Sequence, residues 1–87
     1  MKYLIQGSEP QKRVELIISF TKMDSEDMHQ AIIDHLTKGF TISQSAKING
    51  VAQSNLNRDM AKLNVIAGKI EAIKALDWAH INNESDK

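Results

Sequence analysis

The sequence predicts an all-α fold: a small helical domain of about five helices containing a helix-turn-helix. Three observations point to it. Apolar residues recur at three- and four-residue steps in one segment after another, as a single face of an α-helix requires. Ser8 with Gln11 and Thr41 with Gln44 have the spacing of a capping box. Alternating apolar patterns are missing, and the hairpin-type dipeptide Asn49-Gly50 is flanked on both sides by helical spacing.

A first helix is expected from about Ser8, with Ser8 as cap, Pro10 in the first turn, and Val14, Ile17 and Ile18 as its apolar face. A second begins at Asp24 or Ser25, where Glu26 and Asp27 suit the positive end of the helix dipole. Met28, Ala31, Ile32 and Leu36 form its inner face, and Gly39 ends it as a left-handed cap. Thr41 opens a third helix. A fourth is expected from about Ala52 to Leu63 and a fifth from about Val65 to His80, with a disordered tail over residues 82–87.

With 87 residues, the chain has room for one domain, spanning 1–87. Hydrophobic residues make up 41%, enough for a thin core, and thin cores often gain stability by self-association. Cysteine is absent, which excludes disulfide scaffolds and thiolate metal sites. Apolar runs stop at three or four residues, too short for a membrane span. Met1 to Ile5 begins like a signal peptide but ends at Gln6, Gly7 and Ser8, so a cytoplasmic protein is expected. Net charge is zero, yet residues 38–69 hold Lys38, Lys47, Arg58, Lys62 and Lys69 against Asp59 alone. Residues 24–34 hold Asp24, Glu26, Asp27 and Asp34 with no basic residue. Such polarity suits a protein that orients on phosphate.

The stretch Ile42 to Leu63 carries the most information. Ala46 is small enough for two helices to cross closely, Gly50 can take positive φ in a tight turn, and Val51 can tuck beneath it. Leu56, Met60 and Leu63 fall within roughly 80° of one another at 100° per residue, anchoring one side of the fourth helix. On the other side, Ser54 lies near 160° from Leu56, Arg58 near 200° and Asn57 near 100°, by the same helical arithmetic. Gln53 sits at the helix start. Gln and Asn pair bidentately with adenine and Arg with guanine, so Gln53, Ser54, Asn57 and Arg58 are the candidate base contacts on double-stranded DNA. Thr41, Ser43, Lys47 and Lys62 are the candidate phosphate contacts, the two hydroxyls standing at a helix N-terminus. Two positions depart from the usual motif. Asn49 stands where an apolar residue is common, and Ala52 supplies no side-chain cap, a loss of roughly 1 kcal/mol.

The pattern Ala46, Lys47, Gly50, Val51, Gln53, Ser54, Asn57 resembles the helix-turn-helix of Cro-type phage repressors. From about Pro10 to Leu76 the chain is similar to the PapB family of fimbrial (adhesin) operon transcriptional regulators of Gram-negative enteric bacteria. The similarity includes Asp24-Ser25-Glu26, Leu36 with Gly39, and Ser45, Gly50, Val51 and Gln53 at the turn. That resemblance implies an oligomeric DNA-binding regulator that activates or represses according to site occupancy.

Other chemistry finds little support. His29 and His35 are six residues apart, which does not place them together on a helix, and no third ligand completes a metal site. His35 reads as a boundary histidine. The acids at 24–27 are explained by capping, and no nucleophile motif or phosphate loop occurs, so neither an enzyme nor a cofactor is expected. The last helix carries Ile66, Ile70, Ile73 and Leu76 or Asp77 at near-heptad steps, with Gly68 permitting close backbone approach and Trp78 beyond. Either this stripe covers the domain's own core, or Ile66, Ile70, Ile73 and Trp78 form the interface of a homodimer or higher homo-oligomer. A dimer would set two recognition helices about 34 Å apart on one duplex. The expected function is sequence-specific transcriptional regulation, with no membrane or small-molecule partner. The alternative is a helical protein-interaction module, such as an anti-sigma factor or adaptor, using the last helix.

Overall fold

Leucine and isoleucine at three- and four-residue steps give each helix one face to bury, and those faces meet in a single core. The computed structural model describes residues 3–85, with side chains over 3–81. It is all-helical, with no strand among the described residues. Helices α1 (Gln11–Ser19), α2 (Glu26–Ile33) and α3 (Ile42–Asn49) pack against the first half of a long α4 (Gln53–Ser85). Val14, Ile17, Ile32, Leu36, Ala46, Leu56, Met60 and Leu63 are among the buried residues at the centre.

Helix starts follow local chemistry. The Ser25 hydroxyl accepts from the Met28 N–H at the head of α2, with Glu26 and Asp27 in its first turn. At α3 the capping box closes both ways: Thr41 Oγ1 accepts from the Gln44 N–H, and Gln44 Oε1 accepts from the Thr41 N–H. Helix α1 starts later than expected. Pro10 is its N-cap, with no side-chain cap, because the Ser8 hydroxyl donates instead to the Ile5 carbonyl. Phe20, which ends α1, is 68% exposed.

Past Ile33 the chain widens into a π-helical turn, Asp34–Lys38, which Gly39 closes by donating five residues back to the Asp34 carbonyl. The carbonyls of His35 and Leu36 then accept from the N–H groups of Gly7 and Glu9. The amino-terminal segment is therefore structural. Leu4 is wholly buried, the Gln6 amide donates to the Gly39 carbonyl, and Gly7 lies so close to Gly39 that a Cβ on it would come within 2.9 Å of the Gly39 Cα. His35 is buried rather than at a boundary, its Nδ1–H donating to the Phe40 carbonyl at 2.7 Å. His29 donates from Nε2 to the Met23 carbonyl, so both histidines serve the local fold.

The carboxylate of Asp34 joins α2 to α3. It is buried and accepts from the Gln30 amide at 2.8 Å, the Asn49 amide at 3.0 Å and the Lys38 ammonium at 3.1 Å. The Asn49 amide also donates to the Ser45 carbonyl. A leucine at position 49 would satisfy neither acceptor.

The main correction concerns the fourth and fifth helices, which are one helix of 33 residues. Asn64, at the expected break, does not cap a new start, because its Oδ1 accepts from the Tyr3 N–H. The ring of Tyr3 lies over Gly68, where a Cβ would meet Cε2 at 2.8 Å. The close approach expected at Gly68 is thus made by the chain's own amino-terminal segment. The expected disordered tail is also corrected: the backbone stays helical through Ser85, and 86 and 87 lie outside the described residues. Among the described residues, no helix is long and apolar enough to cross a membrane.

Removing the Asn49 donor leaves a buried carboxylate one hydrogen bond short. Asn49→Ala is expected to cost about 1–3 kcal/mol, read as a lower urea midpoint with an unchanged slope. Burial pushes the Asp34 carboxyl up, but the Asn49 and Gln30 bonds, the Lys38 bond and the Lys38 charge outweigh it and hold the pKa below its ordinary value. With an unfolded value near 3.9, the resulting stabilisation is complete above that pH and is lost as pH falls through the lower folded value. Urea midpoints between about pH 5 and pH 2 should therefore fall more steeply for the wild type than for Asp34→Asn.

Candidate nucleic-acid interface

The turn between α3 and α4 is made by Gly50, Val51 and Ala52. Gly50 takes φ +67, left-handed backbone that a side chain would strain. The Gly50 and Val51 N–H groups cap α3 by donating to the Lys47 and Ala46 carbonyls. Val51 packs partly buried against the core, and Ala46, at 3% exposure, lets the two helices approach. Leu56 and Leu63 are completely buried and Met60 nearly so, which fixes the rotation of α4 about its axis.

With that rotation fixed, Gln53, Ser54, Asn57 and Arg58 are all exposed at the start of α4. They do not converge on one hollow. Arg58 lines an open cleft of ≈ 810 Å³ between the α1–α2 loop and the start of α4, with Lys62 beside it. Asn57 lines the opposite flank, in a smaller hollow with Gln6, Ile42 and Ala61. Gln53 and Ser54 line neither and stand at the helix tip.

Within the cleft Asp59 is 6% exposed and forms ion pairs with Arg58 Nε at 3.3 Å and Lys62 Nζ at 3.9 Å. Both cations remain largely in solvent, with 60% and 62% of their side chains exposed, so these pairs orient them more than they neutralise them. Lys22 and Asn55 line the same cleft. Sequence reading passed over both: Lys22 lies in the loop before α2, and Asn55 stands off the polar face. The acidic cap of α2, Asp24-Ser25, forms the far wall, so the cleft carries both signs of charge.

Of the expected phosphate residues, Thr41, Ser43 and Lys47 sit exposed along α3, and Thr41 already uses its oxygen as the helix cap. Ser45 is fully buried, with its Oγ without a partner among the described residues. The expected oligomer stripe is divided. Ile66 and Ile70 pack partly buried against the chain's own core, whereas Ile73 and Trp78 are 57% and 67% exposed. Among the described residues, no group of three or more His, Asp or Glu side chains is placed to hold a metal ion.

Comparison with protein-family models, with curated proteins and with solved structures finds no match for this chain. The geometry at the α3–α4 turn therefore carries the functional reading.

Ala52 precedes α4 without a side-chain acceptor for the first-turn N–H groups, although its carbonyl accepts from the Leu56 N–H. Ala52→Ser supplies the missing acceptor. It is expected to raise stability by about 1 kcal/mol in urea denaturation.

Proposed function

We propose that this chain is a sequence-specific DNA-binding transcriptional regulator in which α3 and α4 act as a helix-turn-helix. One observation carries the reading. The first turns of α4 bury Leu56, Met60 and Leu63 on one side and leave Gln53, Ser54, Asn57 and Arg58 exposed on the other. Short polar side chains are poor helix formers, and their concentration on one exposed helix end is accounted for by base-edge recognition. Arg58 would take a guanine, and Gln53 and Asn57 an adenine, while Ser54 adapts to either.

Positioning on the backbone falls to Thr41 and Ser43 at the head of α3, to Lys47, and to Lys62 with Lys22 in the cleft. The resemblance to PapB-type regulators directs the proposal to a fimbrial operon, and a regulator of that kind works in the cytoplasm beside the chromosome. No catalytic chemistry is proposed. The alternative, a protein-interaction module, draws on the exposed apolar residues of α4 beyond its packed half and would have no use for Arg58.

Selection of duplexes from a random pool, followed by titration at several salt concentrations, tests the proposal. A shared site should emerge, with affinity falling steeply as salt rises. Arg58→Ala should weaken binding to that site about tenfold to more than a hundredfold while leaving the urea midpoint close to wild type. Wild-type affinity in that variant, or the absence of any selected sequence, would favour the interaction module instead.

A further inference from the structure

The face of α4 that closes the core outruns the body it packs against. Leu56, Met60, Leu63 and Ala67 are buried, and the same stripe continues through Ile70, Lys74, Asp77 and Ile81. These four positions, at 4-3-4 spacing, fall within about 60° of one another. From residue 72 to 81 every residue is exposed, yet seven of these ten are apolar. A helix end with no tertiary support is marginal in water, so a run this apolar needs a cover.

We infer that the cover is a second copy of this chain, with the two α4 helices packed antiparallel about a two-fold axis between Ala75 and Leu76. The charges select this arrangement. In an antiparallel heptad seam each a position meets a d position of the other helix. With the axis at that point, Lys74 meets Asp77 of the other copy and Asp77 meets its Lys74, while at both ends Ile81 meets the part of Ile70 that the chain's own core leaves open. Ile73 and Trp78 lie about 70° to either side of the seam and close over it. A parallel pair would set Lys74 against Lys74 and Asp77 against Asp77, two like-charge contacts in the seam. Asp77 has no ion pair among the described residues, and Lys74, 65% exposed, reaches only Glu71 at 3.4 Å. Both are therefore available to a partner.

The dimer stands independently of the DNA reading, but it alters the spacing. Along the shared axis the starts of the two α4 helices lie about 68 Å apart and on opposite sides, so they do not enter successive major grooves of one straight duplex as the spacing of about 34 Å expected from the sequence would require. The side of α4 bearing Ser54 and Arg58 is turned about 180° from the seam, so the two exposed polar ends point away from each other.

Sedimentation of the whole chain up to about 0.5 mM tests the pairing, since an overlap of about twelve residues predicts a weak dimer. Wild-type protein should dimerise reversibly. K74E places two pairs of like charge in the seam and should shift the protein to monomer. Combining K74E with D77K restores opposite charges and should restore the dimer. Because the chain has no cysteine, direction can be read separately by mixing I70C and I81C proteins under mild oxidation. Disulfides between the two variants support the antiparallel register, whereas I81C linking preferentially to itself overturns it. A monomeric wild type, or a dimer indifferent to K74E, also overturns the proposal, leaving the exposed end of α4 to a different protein.

Discussion

The carboxylate of Asp34 is the constraint on which the α3–α4 geometry depends. A buried negative charge is tolerated only when its lone pairs are filled, and here the donors come from three places: Gln30 in α2, Lys38 in the π-helical turn and Asn49 at the end of α3. Because Asn49 is the last residue before the Gly50 turn, satisfying Asp34 also fixes where α3 stops. The turn then releases α4 at an angle set by Ala46 and Val51, and the buried Leu56–Met60–Leu63 stripe sets its rotation. Each exposed polar residue at the start of α4 inherits its position from that sequence of contacts.

A second constraint comes from the amino-terminal segment. It fills the carbonyls left open by the π-helical turn, buries Leu4 and bonds to Asn64 in α4. One strand of irregular chain thereby ties the end of α2 to the middle of α4. Those contacts hold α4 helical past the point where a break was expected. The long helix is thus a product of tertiary contact as much as of local propensity.

What could be read in the sequence was what local spacing dictates. Ser25, Thr41 with Gln44, Gly39 and Gly50 punctuate the helices as their chemistry predicts, and Met28, Ala31, Ile32, Leu56, Met60 and Leu63 are buried as the three- and four-residue steps select, although Ile33 and Asp59 are buried as well and Ile73 and Leu76 are exposed. What could not be read depends on contacts between distant positions. Nothing near Asn64 reveals that Tyr3 will occupy its acceptor, and nothing near Leu4 separates a core residue from the start of a signal peptide. Asn49 is an oddity until Asp34, fifteen residues earlier, is seen beside it. At the candidate interface the polar side of α4 was legible because periodicity alone fixes it. Lys22 was not, because a loop has no period.

The continuity of α4 has a mechanical consequence. Its 33 residues run without proline or a hinge from the exposed polar tip to the apolar far end. The two ends are therefore held in torsional phase, like marks on a single rod. Each residue between them sets 100° of rotation and 1.5 Å of length. The orientation of whatever grips one end is transmitted to the other by a count of residues and not by a chain of contacts. A single insertion between Leu63 and Ile70 would re-aim one end against the other while leaving the side chains at both tips unchanged.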